Sequence, residues 1–371
     1  LVKKGVDGMR VIVVGAGLGG LTLAQGLRGA GIDVAVYERD GALGRPQGIS
    51  LHMDDRGMSA LAACLPPAHA AMATATMGGP RTRTLTLSPA LTVTGTRPSA
   101  ARPGRQTHRP LLRAVLLTGL ADVVRFGAEV TRFERRADGT VRLWCADGTV
   151  DTADVVVGAD GVGSAVRRQL LPHARVIDTG RRVLMGATPL RAAAGTGLPD
   201  LIGHSPAVVR VGDTMMTLAV LRFTSPPAAA RQRHLPALSP GAVADVEDYV
   251  MWALPVTRER LGTADAMALT ADLPVALRSI VARAWPDVTV ALRIGTIPPV
   301  PAWPAGPVTV IGDAIHLAPG FGGNLAMRDA HRLRDALVDA ARGRCGLVEA
   351  IGAYEETMRR DSHTMPVPVR A

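Results

Sequence analysis

The chain has 371 residues, 47% apolar and 20% charged, with 42 Lys and Arg against 32 Asp and Glu for a formal net charge of +10. That length and balance suit a folded protein of two domains and exclude a disordered tail, a fibre or a disulfide-stapled miniprotein. The positive charge does not point to nucleic acid: lysine occurs only at Lys3 and Lys4 and arginine supplies the rest, as in a GC-rich genome, while four Phe and three Tyr are too few for a stacking platform.

No uncharged apolar run reaches the ~18 residues of a membrane span, and no signal-peptide pattern opens the sequence. A cytoplasmic protein with neither a nucleic-acid nor a membrane partner is therefore expected. Cys64, Cys145 and Cys345 are odd in number and widely spaced, without a CxxC pair, so neither a disulfide framework nor a metal site is implied. Leu1 to Gly8 precede Met9 and are set aside as an upstream extension.

Residues Arg10 to Arg39, RVIVVGAGLGGLTLAQGLRGAGIDVAVYER, read as strand, glycine turn, helix and second strand. This is the pattern of a dinucleotide-binding βαβ unit. Gly15 permits the tight turn, Gly17 lets backbone approach a pyrophosphate, and Gly20 lets the helix pack close to the strand. The phosphates then meet the helix N-terminus, where unpaired N–H groups and the dipole favour an anion. Glu38 ends the second strand, placed to accept from both hydroxyls of an adenosine ribose and to repel a 2′-phosphate. FAD or NAD is expected there, not NADP.

An amphipathic segment from Gly57 to Cys64 follows, closed by Pro66-Pro67, then a stretch rich in Thr, Arg and Pro from Thr82 to Arg109. Short alternating pieces such as Thr84-Leu85-Thr86-Leu87 read as strands, and Arg102-Pro-Gly-Arg105 as a solvated loop. Leu111 to Leu120 is helical by spacing, and Asp138-Gly139 and Asp147-Gly148 signal hairpins. Arg181 to Leu221 alternates like strand, whereas Ala242 to Trp252 and Val275 to Trp285 look helical. Leu333, Leu337 and Ala341 place a helix over Asp329 to Ala341.

Two further segments end a buried strand with a carboxylate: ADVVVGADGVGSAVR (Ala153 to Arg167) at Asp160-Gly161, and VTVIGDAIHLAPGFGGNLAMRDA (Val308 to Ala330) at Gly312-Asp313, with a helix from about Leu325. In open α/β sheets that edge is where ligands bind.

With these three elements in order, the sequence from Met9 to about Arg360 resembles the group A flavoprotein monooxygenases. These are FAD-dependent aromatic hydroxylases related to p-hydroxybenzoate hydroxylase and to tetracycline-modifying monooxygenases. The resemblance implies an α/β fold: a FAD-binding Rossmann-like domain of the glutathione-reductase type, an inserted mixed β-sheet substrate domain and a C-terminal helix. On that basis the FAD domain is expected over 9–77, 102–178 and 288–324, the substrate sheet over 78–101 and 179–287, and a helical segment over 325–371.

The same resemblance maps cofactor contacts onto this chain. Gly15, Gly17, Leu18 and Gly20 would hold the FAD pyrophosphate, Glu38 the ribose, and Arg39 and Val130 the adenine side. In His108-Arg109-Pro110-Leu111-Leu112-Arg113 the second arginine, Arg113, is the cofactor contact. Gln47, within Arg45-Pro46-Gln47-Gly48-Ile49, would pass the isoalloxazine. Asp160 marks the motif tied to FAD and pyridine nucleotide, Asp313 would reach the ribityl chain, and Gly323 and Asn324 the flavin itself. One departure stands out: His316 to Asn324 reads HLAPGFGGN, a few residues shorter than the family's PxxGGxGxN turn.

The implied activity is hydroxylation of a small aromatic or polyketide-like molecule using NADH or NADPH and O2, in secondary metabolism or drug modification. No second GxGxxG unit is present for the nicotinamide coenzyme, which in this family binds transiently without its own domain. The sequence identifies no catalytic base, though His52, His108 and His204 are candidates, and Met215, Met216, Phe223 and Trp252 could line an apolar cavity or simply pack. A flavin-dependent halogenase would need a catalytic lysine and a Trp-x-Trp motif, both missing from Met9 onward. A FAD-binding reductase independent of oxygen, and a non-redox member with structural FAD, remain open; the short turn favours the second.

Overall fold

Apolar runs such as Val11 to Val14 and Val155 to Val157, each stopping at a glycine turn, form strands buried on both faces, because such a strand has no polar side to show to water, and the edge strand Val124–Phe126 is only partly buried. Arg10–Val14, Asp33–Glu38, Val124–Phe126, Val155–Gly158 and Val308–Val310 build a five-stranded parallel sheet, with Arg10–Val14 at its centre. Val14 stands beside Gly158 and Tyr37, and Gly158 beside Val310, so three turns leave the same edge side by side. The computed structural model describes residues 8–44, 47–99, 103–212, 214–263, 265–317 and 322–363.

Helix Leu18–Gly29 packs on this sheet, and the long helix Gly322–Ala341 lies against it and against Asp55–Cys64. Glycine permits the approach: a Cβ on Gly19 would lie 2.9 Å from the Ala326 methyl, and one on Gly26 3.2 Å from Cys64 Cβ. Helix Asp55–Cys64 begins where Asp54 accepts from the Arg56 and Gly57 amides. Hairpins at Asp138-Gly139 and Asp147-Gly148, with Gly139 at φ +85° and Gly148 at +86°, join the antiparallel strands Val130–Arg135, Val141–Cys145 and Val150–Ala153.

A second, seven-stranded mixed sheet runs in the order Val290–Thr296, Ile177–Pro189, Tyr249–Thr257, Thr214–Leu221, Ala207–Val211, Arg83–Leu87, Val93–Pro98. Its strands come from two excursions of the chain, one between Asp33–Glu38 and Val124–Phe126, the other between Val155–Gly158 and Val308–Val310. One face packs around Trp252 on helix Val275–Ala282. The other carries Ala187, Ala219, Leu221, Tyr249 and Met251 toward a small antiparallel sheet of Ser50–Met53, Arg105–His108 and Met77–Pro80, the seam between the two larger sheets.

Three expectations are corrected here. Ala242 to Trp252 is not a helix: Tyr249–Thr257 is a strand paired on both sides, with Ile177–Pro189 and Thr214–Leu221. A short apolar run buried on both faces carries no period of its own, and tertiary pairing decided it. The strand pattern over Arg181 to Leu221 is likewise broken by helices Leu190–Ala193 and Leu198–Ile202, the first following Pro189. The predicted helices at Gly57 to Cys64 and Asp329 to Ala341 lie within Asp55–Cys64 and Gly322–Ala341, while those at Leu111 to Leu120 and Val275 to Trp285 correspond to Arg109–Leu117 and Val275–Ala282, each ending three residues before the expected position. Arg105, placed in a loop, opens a strand, and Ala100 to Arg102 lie outside the described residues.

The C-terminal helix Leu347–His363 closes the parallel sheet, Tyr354 donating to the Val310 carbonyl at 3.0 Å and Thr309 donating to Glu355 Oε1 at 2.7 Å. Burial pushes the Glu355 carboxyl from its ordinary 4.5 up to about 7, Thr309 opposing. A raised folded value means that the stabilisation present below pH 4.5 is lost as pH rises through 7. Glu355→Gln stays neutral and can still accept from Thr309. It should be more stable than the parent at pH 8, by up to ~3 kcal/mol, the difference closing near pH 4. Thermal melts at both pH values check this, and an offset independent of pH would count against it.

Candidate functional site

The three turns at the sheet edge come closer than side chains would allow. Gly15 sits at φ +109°, its N–H donates to the Tyr37 carbonyl at 2.7 Å, and a Cβ there would lie 2.4 Å from the Ala159 carbonyl oxygen. A Cβ on Gly20 would lie 2.0 Å from the Gly15 oxygen. Gly17 is the opposite: nothing lies within 4 Å of its Cβ direction, and no side chain caps the helix that begins at Leu18. An uncapped helix N-terminus facing open space is what a pyrophosphate needs.

Charged groups ring this turn. Glu38 accepts from the Ala16 amide at 2.7 Å and the Asp40 amide at 2.8 Å, which fixes its carboxylate beside the glycine loop. Arg113 donates from Nε to the Ala16 carbonyl at 3.1 Å and from Nη1 to the Ala42 carbonyl at 2.9 Å. Burial lowers its guanidinium pKa, with Glu38 and Asp40 opposing. Arg39 Nη1 lies 3.9 Å from where a Gly163 Cβ would be, bringing it to the Asp160-Gly161 turn. Val130 is buried at the start of its strand, two residues after Ala128, whose N–H meets the Glu38 carbonyl at 2.8 Å.

The second turn is braced from within. Asp160 Oδ2 accepts from the Ala165 amide at 2.7 Å and the Val166 amide at 3.3 Å, while Oδ1 is buried with no hydrogen-bond partner. Burial raises its pKa. Arg167 is buried and donates to the Ala314 carbonyl at 2.9 Å, tying this turn to the third.

At the third turn Gly312 has φ +58°, and a Cβ there would lie 2.5 Å from the Ala326 methyl. Asp329 Oδ2 accepts from the Gly312 amide at 3.0 Å and meets His316 Nε2 at 2.6 Å, and Arg328 Nη2 donates to Oδ1 at 3.1 Å. His316 and Arg328, with the Gly312 N–H, hold this buried carboxyl below its usual value against the cost of desolvation. Asp313 is exposed; desolvation raises its carboxyl pKa, with His316 and Arg109 opposing. A Cβ on Gly322 would lie 2.6 Å from Asp313 Oδ1.

Gly323 fits against Leu51 and Leu18. Asn324 is buried, its amide spent on the backbone of the small sheet: Nδ2 donates to the His52 carbonyl at 2.7 Å and Oδ1 accepts from the Asp54 amide at 3.0 Å. Gln47 is exposed, next to Gly48, which packs on Met185. Arg45, Pro46 and residues 318–321 of the short turn lie outside the described residues, although the sequence runs unbroken through that turn.

Of the candidate bases, His108 caps helix Arg109–Leu117 by accepting from the Leu111 amide, and burial lowers it to about 4. His204 is exposed beside Gly79. Met216 and Trp252 belong to the core on the helix-covered face of the large sheet, away from the seam. Sequence reading did not single out Asp329 or Arg167; the pairing of Gly312 with a carboxylate one helical segment later is the signal that could have found Asp329.

The residues present fit a dinucleotide of the FAD type: open space before an uncapped helix, an acid at the end of the second strand, and an exposed carboxyl at the third turn. The family model described as FAD binding domain matches residues 8–192 and 300–364. The dual O-methyltransferase/FAD-dependent monooxygenase CTB3 of Cercospora beticola is 30% identical over 412 residues, covering 95% of this chain and 44% of that protein. The chain thus spans less than half the length of that relative. FAD-dependent urate hydroxylase of Klebsiella pneumoniae is 29% identical over 341 residues, 87% of this chain and 79% of that one. Among solved structures, a protein of Photorhabdus luminescens subsp. laumondii TTO1 described as a FAD-containing monooxygenase superimposes with a TM-score of 0.81 at 27% identity, over 95% of this chain and 94% of that one.

The two helix-start glycines make opposite predictions. Gly20→Ala should cost about 1–3 kcal/mol of folding stability through its clash with the Gly15 carbonyl. Gly17→Ala, at φ −78° in open space, should stay within ~0.5 kcal/mol of the parent. Equal melting temperatures for the two variants would show that the close approach is not a packing constraint.

Proposed function

Because the chain belongs to the FAD binding domain family, with FAD-dependent monooxygenases among its relatives, we propose that it is a FAD-dependent monooxygenase using NADH or NADPH and O2 to hydroxylate an aromatic or polyketide-like small molecule. The convergence of the Gly15, Asp160 and Asp313 turns on one sheet edge carries this reading. Gly15, Gly17, Leu18 and Gly20 would take the pyrophosphate with Arg113 beside them, Glu38 the ribose, and Arg39 and Val130 the adenine side. Asp160 braces the second turn, Asp313 would meet the ribityl chain, and Gln47, Gly323 and Asn324 the flavin end. In this reading 9–77, 102–178 and 288–324 form the cofactor lobe, 78–101 and 179–287 the substrate lobe, and 325–371 the helical segment behind.

When bound, FAD supplies the redox chemistry, passing two electrons from NAD(P)H to O2 so that one oxygen atom reaches the substrate and the other leaves as water. The chain supplies orientation and dryness. Its apolar seam of Ile49, Ala187, Leu221, Tyr249 and Met251 excludes water from the substrate side. Beside the Asp160-Gly161 turn a groove of about 460 Å³ carries Arg168 and Arg175, a cationic surface suited to the phosphates of a transient dinucleotide.

A second reading, FAD as a structural group, is favoured by the short His316 to Asn324 turn and by the commitment of the Asn324 amide to His52 and Asp54. Fewer donors are then left for the flavin edge where charge accumulates on reduction. Anaerobic stopped-flow absorbance separates the readings. With an aromatic substrate bound, the monooxygenase should bleach its flavin band with NAD(P)H and consume O2 on reoxidation, whereas a band that persists through excess NADH and NADPH in the presence of that substrate would overturn it. Turnover that does not consume O2 would identify a reductase.

Glu38→Ala should weaken FAD by about 1–3 kcal/mol, the range for losing a charge-assisted hydrogen bond. Titration of the apoprotein with FAD measures this, and unchanged affinity would place the ribose elsewhere.

A further inference from the structure

The seam between the small and large sheets holds a buried cation that no carboxylate meets. Arg81, between strands Met77–Pro80 and Arg83–Leu87, is 7% exposed. Its Nη1 lies 2.9 Å from His52 Nδ1 and 2.7 Å from Gln106 Oε1, while its Nε is buried without a hydrogen-bond partner. Among the described residues no ion pair to Arg81 is formed, and burial lowers its guanidinium to about 10 with no acid opposing. Arginine this deep is ordinarily paired, since desolvation of an isolated charge is costly.

The neighbours are arranged to give hydrogen bonds outward. Arg81 can only donate, so the Gln106 atom facing it is the oxygen, and its amide nitrogen must donate to Ser50 Oγ. The Tyr249 hydroxyl donates to the same Ser50 oxygen at 3.2 Å. Ser50 thus accepts twice, and its own hydrogen is left to donate. His52 must receive Arg81 at Nδ1, which puts its proton on Nε2. Its ring stays neutral, since burial and then Arg81 push its pKa to about 4. The acceptors facing Arg81 and Ser50 are engaged inside the network, and donors remain.

The network borders both halves of the seam. Tyr249 belongs to the apolar cluster with Ile49, Ala187 and Met251. The His52 carbonyl takes the Asn324 amide from the helix that follows the Asp313 turn. Ser50 and His52 are half-buried, so the cluster is reached from that side.

We propose that Arg81, with the Ser50 hydroxyl beside it, recognises an anionic oxygen group of the substrate, making the substrate an aromatic acid. This rests on the monooxygenase reading for the word substrate, but the site itself is a matter of binding alone. An oxyanion would supply the charge and acceptor that Arg81 lacks, and the adjoining apolar wall would cover the ring.

The test uses FAD-loaded protein and three aromatic acids, benzoate, salicylate and 2-aminobenzoate, each beside its neutral amide. Binding is followed by perturbation of the flavin spectrum and by the melting temperature, with neither NAD(P)H nor turnover needed. At least one acid should bind roughly 10- to 100-fold more tightly than its amide, the discrimination expected of a charge-assisted bond. Arg81→Gln should lose the preference while melting at or above the parent temperature, since it removes an uncompensated charge. Arg81→Lys, which keeps the charge without the planar fork, should retain part of the preference and serves if the glutamine variant does not fold. Equal binding of acid and amide, no binding of any acid, or a preference unchanged in either variant would overturn the proposal. A protein that prefers acids yet is not reduced by NAD(P)H would retain this site and lose the monooxygenase reading; the reverse outcome would separate them equally well.

Discussion

Backbone proximity at the edge of the parallel sheet governs the rest of this structure. Gly20 rides on the Gly15 carbonyl, Gly15 on Ala159, and Gly312 on Ala326, each at a distance a side chain would forbid. Those contacts set the angle at which helix Leu18–Gly29 leaves its strand, and with it the direction of the amides that open before Gly17. The contacts of Gly312 and Gly19 with Ala326 also seat helix Gly322–Ala341 against the third turn and the start of helix Leu18–Gly29. A side chain at any of these glycines would tilt a helix whose N-terminus is the useful part.

Glycine allows the approach but does not hold it. Asp329 does, buried and bonded to the Gly312 amide, His316 and Arg328 together. A carboxylate so fully satisfied can remain ionised without water, and its three partners come from the turn and the helix it joins. Arg167 repeats the device between the second and third turns through the Ala314 carbonyl. The cleft is therefore built from rigid pieces, with bonded charges acting as rivets.

What the sequence disclosed follows the range of the interactions. The βαβ unit is legible because its glycines, helix and acid act on neighbours within one supersecondary unit, and the hairpins at Asp138-Gly139 and Asp147-Gly148 are legible for the same reason. Arg113 was distinguishable from Arg109 only through the family pattern; its bonds to Ala16 and Ala42 join segments far apart in the chain. Tyr249–Thr257 was misread because its burial on both faces comes from strands at 177–189 and 214–221, which its own residues do not announce. Arg81 was invisible in an arginine-rich stretch: its meaning depends on His52 and Gln106, brought to it by strand pairing.

The buried polar groups divide into two kinds, and the division bears on how the two lobes act together. Asp329 and Asn324 have their principal partners within the protein; Arg81 Nε and Asp160 Oδ1 do not. The satisfied pair holds separate segments together, while Arg81 Nε and Asp160 Oδ1 stand at the seam and at the sheet edge, where the proposed ligands would lie. Asn324 links the two sets, because the strand it grips, Ser50–Met53, carries the Ser50 and His52 of the Arg81 network. A displacement of helix Gly322–Ala341 at its start would pull on that strand through two hydrogen bonds and change the spacing between Ser50 and Arg81. A group held at Arg81 would accordingly have its position set by the same helix that positions the Asp313 turn, so that the distance between a ligand in the seam and a cofactor at the sheet edge is fixed by one rigid element instead of by the packing of two independent lobes.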